Sequence, residues 1–163
     1  MKILSMKTTI FLGAMLSLLV CLMFTGCSNS ETNSTSRGLT DFAHIEEEYL
    51  ATIDSLNWPD GITLPDKLED EDTGASFQVG YGETRASYLW EYSWMKEWLD
   101  TYNTDPERAE KALEELEKAF DMPYMGIDRC DDATRNYLRE NIDKAKLGDP
   151  SGFTESIRGN YAN

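Results

Sequence analysis

Histidine, cysteine and positive charge are all scarce in this 163-residue chain, and each shortage excludes something. His44 is the single histidine, so any Ser-His-Asp or Cys-His arrangement would have to be built on it. The segment Gly74-Ala75-Ser76-Phe77-Gln78 approaches a nucleophile elbow, but Gln78 stands where glycine is required and no strand precedes it. Lys and Arg number 15 against 30 Asp and Glu, a formal net charge of −15. Such a surface repels nucleic acid and anionic headgroups, so nucleic-acid binding is excluded. Strand-like alternation and internal repeats are missing too, which leaves helices.

Two local absences divide the chain. Residues 8–24 carry no charge, and Lys2 and Lys7 precede them. A basic start and an uncharged run have the pattern of a secretory signal. The run is short against the roughly 20 residues of a bilayer span. Residues 28–38 carry no apolar side chain and are rich in Ser, Thr and Asn. They have nothing to bury and are expected to form a disordered tether. These 11 residues would reach roughly 18 Å on average. Asn33-Ser34-Thr35 between them matches a glycosylation sequon.

Between these stretches stands Phe24-Thr25-Gly26-Cys27. It resembles the lipobox of bacterial lipoprotein precursors: usually Leu, then Ser, Ala or Thr, then Gly or Ala, then an invariant Cys. Phe24 takes the place of Leu. The resemblance covers only about the first 27 residues. It implies cleavage before Cys27, a diacylglycerol on the Cys27 sulfur and often acylation of the new amino terminus. Ordinary signal cleavage nearby and an uncleaved anchor are the alternatives; Phe24 interrupts the best register for the former. Two acyl chains give durable anchoring, each buried CH₂ contributing about 0.8 kcal/mol. The expected organisation is a signal over 1–26, a lipidated Cys27 with its tether over 27–38, and an acidic domain over 39–163. Cleavage would remove Lys2 and Lys7, leaving 13 basic against 30 acidic residues, a net charge of −17. Cys21 would leave with the signal, so Cys130 would be the one free thiol. It is either a small buried hydrophobe or a partner for a thiol or a metal.

The domain reads as all-α, a bundle of four or five helices. Phe42, Ile45, Tyr49, Ile53 and Leu56 recur at helical spacing over 41–56, and Trp58-Pro59-Asp60-Gly61 ends that helix. Residues 62–75 read as a polar loop that contributes no core element. A second helix, starting at Phe77 or Tyr81 and ending at Tyr102, has two apolar faces and is expected to be central. Its small residues Gly80, Gly82, Ala86 and Ser87 would admit another backbone. Thr104-Asp105-Pro106-Glu107 starts a third helix that buries Ala109, Ala112, Leu113, Leu116 and Phe120 before Met122-Pro123. Glu107 with Lys111 and Glu114 with Lys118 are candidate ion pairs. A fourth helix starts at Asp131 or Asp132, turns Leu138, Ile142 and Ala145 inward with Tyr137 at their border, and ends at Leu147, with Gly148 as its C-terminal glycine. Asp149-Pro150 can start a short fifth carrying Phe153 and Ile157.

Candidate sites are few. His44 and Glu48, with Glu47 nearby, are two or three ligands of a possible zinc site or simply a helix start. Acidic residues 66–72 could hold Ca²⁺, but with Gly74 as the turn glycine the EF-hand ligands would fall on Glu69 and Gly80. Asp128, Asp131 and Asp132 read as capping. The pattern therefore calls for no metal and no cofactor. Glu83, Glu91 and Glu97 lie among aromatics and could serve as paired carboxylates. Glu155-Ser156 is similar to the Glu-Ser pair of lytic transglycosylases, whose other motifs are missing. The second helix carries Tyr88 and a stripe of Trp90, Trp94 and Trp98. The stripe is either core or a sugar- or protein-binding platform, and the flanking Glu91 and Glu97 suggest that part of it lies near the surface. The expected function is that of a membrane-anchored, non-enzymatic envelope lipoprotein. Its partners would be the lipid bilayer, through acylated Cys27, and an envelope protein or cell-wall ligand. A sugar- or peptide-binding lipoprotein using the aromatic helix, and an inhibitor of a secreted enzyme or toxin, are the alternatives.

Overall fold

The computed structural model describes residues 38–160 with the exception of Asp70. The expected signal with Cys21, the expected acylation site Cys27 and the expected tether up to residue 37 lie outside the described residues. Within them, five helices and two short 3-10 turns make an all-α domain, with one two-stranded ribbon beside it. Strand β1 (Leu39–Thr40) pairs antiparallel with β2 (Phe77–Gln78), Leu39 opposite Gln78 and Thr40 opposite Phe77.

Helix α1 (Phe42–Ser55) starts where Asp41 accepts the backbone N–H of His44 at 3.1 Å. It buries Ile45, Tyr49 and Ile53, four residues apart on one face. The Trp58 indole donates to the Ile53 carbonyl at 2.9 Å and satisfies one of the open acceptors at its end.

Helix α2 (Tyr81–Thr101) begins at Tyr81, because Gly80 at φ +88° is left-handed and keeps Phe77–Gln78 out of the helix. Gly80 offers no side-chain cap. Glu48 of α1 reaches across instead, and its carboxylate accepts the N–H of Gly80 at 2.7 Å and of Gly82 at 3.2 Å. A negative group at a helix N-terminus is favourable on its own account. The two backbones nearly touch: a Cβ on Gly82 would stand 1.8 Å from the Ile45 carbonyl oxygen.

On its far side α2 carries the larger core. Trp90, Trp94 and Met95 are essentially sealed, and Trp98 stacks on Tyr102 at 4.6 Å and meets Phe153 edge-on at 5.3 Å. Helix α3 (Pro106–Glu117) is capped by Asp105, which accepts the Arg108 N–H at 3.2 Å, and buries Ala109, Ala112 and Leu116. Its sequence pattern runs on to Phe120, but Lys118–Asp121 tightens to a 3-10 turn and Pro123–Met125 forms a second. Lys118 pairs with Glu115 at 2.6 Å, and Lys111 lies over the Trp94 ring at 5.8 Å.

Helix α4 (Asp132–Lys146) starts on Asp131, which accepts the Thr134 N–H at 2.8 Å. Gly148, at φ +80°, ends it. The Gly148 N–H donates to Ala145 and the Asp149 N–H to Lys144, the paired pattern of a Schellman motif. Asp149 then accepts the Ser151 N–H at 2.9 Å and opens α5 (Ser151–Asn160). Helices α3, α4 and α5 and the 3-10 turns close the main core over α2, while α1 covers its other flank.

The loop over 62–75 departs from its expected neutrality toward the core. Leu68 is buried, its backbone N–H donates to Glu46 at 3.3 Å, and Leu64 and Ala75 pack against the α1 cluster. One leucine among acidic neighbours shows no periodicity, which is why the segment reads as solvated. Among the described residues, no helix is long and apolar enough to cross a membrane.

Candidate functional site

The three candidate carboxylates of α2, Glu83, Glu91 and Glu97, diverge. Glu83 pairs with Arg129 at 2.6 Å, and Glu97 takes a forked contact from Arg108 at 2.7 and 2.9 Å. Both are tied to neighbouring segments. Glu91 differs: it is only 7% exposed, and the Tyr124 hydroxyl donates to its Oε2 at 2.8 Å.

Glu91 lines a cavity of about 400 Å³. Helical spacing explains how the walls come together. Tyr88 lies one turn before Glu91 on the same face of α2. The turn Pro123–Met125 adds Met125, and α4 adds Thr134, Tyr137 and Leu138 on one stripe. Ser156 and Asn160, four apart on α5, complete the lining. Asn160 donates to the Ser156 hydroxyl at 3.4 Å. Tyr88 and Tyr137, each 41% exposed, stand where the cavity meets solvent.

Burial pushes the Glu91 carboxyl from 4.5 up to about 7, against the smaller opposing effect of the Tyr124 hydrogen bond. The group therefore changes charge near neutral pH. Burial likewise raises the Tyr88 phenol, with the Glu91 charge and the Cys130 thiol adding to it. A single ionisable carboxyl in a cavity is a candidate functional group on physical grounds. It can accept or donate a proton or pair with a cation. The lining brings hydroxyls, an amide and a thioether around it, and no second carboxylate.

The tryptophan stripe is not a platform. Trp90, Trp94 and Trp98 are 1 to 2% exposed, and the first two indoles share the Asn57 carbonyl oxygen at 2.8 and 3.1 Å. Large side chains fill the centre of the bundle, and the N–H groups of Trp90 and Trp94 are satisfied inside it. Of the four aromatic candidates only Tyr88 reaches the surface. Glu91 does not mark a surface edge of that stripe either; it is buried with Tyr124.

The remaining candidates have structural duties. Glu48 is engaged by Gly80 and Gly82, with His44 3.3 Å away, so the His44–Glu48 pair closes a helix start. Among the described residues, no group of three His, Cys, Asp or Glu converges as a metal site. In the acidic loop, Glu71 accepts from Tyr81 at 2.8 Å and pairs with Arg85 at 3.3 Å, Lys67 pairs with Glu69, and Asp72 accepts the Gly74 N–H. Asp70 lies outside the described residues. Asp131 caps α4 and Asp132 pairs with Arg135. Cys130 is half-buried against the main core with its Sγ 3.5 Å from Met125 Sδ. Burial raises its thiol despite the nearby Arg135, which keeps it protonated at neutral pH. Ser156 lines the cavity while Glu155 points to solvent.

The sequence alone points to Tyr88 and Glu91, and to Ser156 only within the Glu155-Ser156 pair; it does not point to Tyr124, Thr134 or Asn160. The available signal was a carboxylate between Trp90 and Tyr92 on a helix already expected to be central. No family model, curated protein or solved structure matches this chain.

Proposed function

We propose that this chain is an extracytoplasmic lipoprotein, held at the cell membrane by acylated Cys27, and that its helical domain is a non-enzymatic binding module whose ligand site is the Glu91 cavity. Its partner is an envelope protein or cell-wall ligand that presents a group to that cavity. The observation that carries the binding part is the Glu91 carboxyl itself. It is buried and lines an open cavity, and none of the described residues lining that cavity is Lys, Arg or His. A buried carboxylate without a counter-charge is costly, whereas Glu115, equally buried, is paired with Lys118, and Glu48, Glu83 and Glu97 are held by backbone N–H groups or by Arg. A site that turns such a buried group toward a cavity is suited to a visiting partner.

The anchoring part rests on the resemblance at Phe24-Thr25-Gly26-Cys27 and on the polar residues 28–38 that follow. Metabolic labelling with an alkyne fatty acid tests it. Wild type should take up label and sediment with membranes, and Cys27→Ala should lose the label. A labelled Cys27→Ala protein would overturn the anchoring.

A further inference from the structure

We propose that the Glu91 cavity binds a small primary ammonium ligand, its nitrogen paired with the Glu91 carboxylate and its alkyl stem lying against Tyr88 and Tyr137. This rests on reading the cavity as a ligand site. Several observations point to that chemistry. The Tyr124 hydroxyl fills one acceptor position of the carboxyl, and a carboxylate has several. No lining side chain supplies the counter-charge. An ammonium carries three donors, and the hydroxyls of Thr134 and Ser156 and the Asn160 amide offer oxygen acceptors around the same cavity. The rings of Tyr88 and Tyr137, with Met125 and Leu138, offer the apolar wall that an alkyl stem needs. The volume of about 400 Å³ suits a small molecule. The net charge of −15 raises the local concentration of cations and repels anions. A neutral sugar is less well matched. The tryptophans are sealed, and Tyr88 meets Tyr124 edge-on at 5.7 Å instead of offering a flat shelf.

The groups that bear on Glu91 are few. Tyr88 stands on its own helix, Tyr124 on the 3-10 turn, Tyr137 on α4 and the Cys130 thiol in the segment before α4. Arg135 is committed to the Met125 and Cys130 carbonyls and to Asp132. From α5 come Ser156 and Asn160, which do not titrate. Binding therefore follows ionisation of Glu91: affinity should fall about tenfold per pH unit below its midpoint and level off above it.

The test uses the full chain in non-ionic micelles, ¹³C-labelled at the glutamate carboxyls, at fixed ionic strength. The probes are n-butylammonium chloride, n-butanol and methyl glucoside. Saturating n-butylammonium should lower the Glu91 midpoint by more than one pH unit. Butanol should leave it in place, and Glu91→Gln should lose saturable amine binding. If Glu91→Gln does not fold, Tyr124→Phe serves. Its Glu91 midpoint should rise, and the pH of half-maximal amine affinity should rise with it. An unmoved midpoint with the amine, or Tyr124→Phe affinity that keeps the wild-type pH profile, overturns the ammonium assignment. Butanol or glucoside shifting the lining signals as strongly as the amine overturns it too, while leaving the cavity as a ligand site. No response to any probe overturns both.

Discussion

Glu91 carries the domain's clearest residue-scale consequence. Its carboxyl sits near 4.5 in the unfolded chain and is raised to about 7 by burial in the fold. A raised acid favours the folded state fully below the unfolded value, and that advantage is lost as pH rises through the folded one. A shift of this size corresponds to about 3 kcal/mol. The stability difference between wild type and Glu91→Gln should therefore fall by about that amount from pH 4.5 to above pH 7. Paired urea titrations across this range measure it, and a pH-independent difference would contradict the raised carboxyl. Asp131 and Asp149 act with the opposite sign: backbone N–H groups hold both below the usual aspartate range, so their contribution is present above it and lost on acidification. Gly82 is the other decisive residue. Ala at this position would press a methyl group into the Ile45 carbonyl, and over-packing of this kind costs about 1–3 kcal/mol or more. Gly82→Ala should lower the urea midpoint accordingly; an unchanged midpoint would mean that α1 and α2 separate freely.

At the scale of elements, the start of α2 is finished by α1. Glu48→Ala would leave the Gly80 and Gly82 N–H groups without their acceptor and should cost about 1–3 kcal/mol. Hydrogen exchange should quicken at the first turn of α2 ahead of its middle; uniform exchange along the helix would contradict the cross-helix cap. In the main core, Trp94→Ala removes a sealed indole and should cost about 3–5 kcal/mol in denaturant unfolding. A loss below 1 kcal/mol would place that ring outside the core. These elements differ in how legible they were. The five helices follow from local signals: apolar spacing in α1, the Asp105-Pro106 start of α3, Gly148 after α4. The central position of α2 follows from its two apolar faces. The short ribbon does not, because two residues are too few to show alternation and the pairing of Leu39 with Gln78 is long-range. Nor does the buried Leu68. The cavity was legible only in part. Tyr88 and Glu91 share a helix and were visible together, whereas Tyr124, Thr134, Ser156 and Asn160 come from three other segments that tertiary packing alone brings to them.

For the molecule as a whole, charge works against the membrane anchoring proposed above. A net charge of −15 repels an anionic bilayer, so lasting attachment would have to come from acyl chains at Cys27 and not from the domain surface. The same charge should make the fold salt-sensitive. Self-repulsion is screened as the Debye length falls from about 10 Å at 0.1 M to about 3 Å at 1 M. The thermal midpoint should therefore rise with sodium chloride, and a fall would mean that surface ion pairs outweigh the repulsion. Within that field the domain keeps one carboxyl buried, open to a cavity and poised to change charge, and that is the centre of the functional account. A ¹³C carboxyl titration of Glu91 in the ligand-free full chain tests it most directly. The account predicts a midpoint of about 7. A midpoint in the ordinary range near 4.5 would show a solvated side chain and would contradict it.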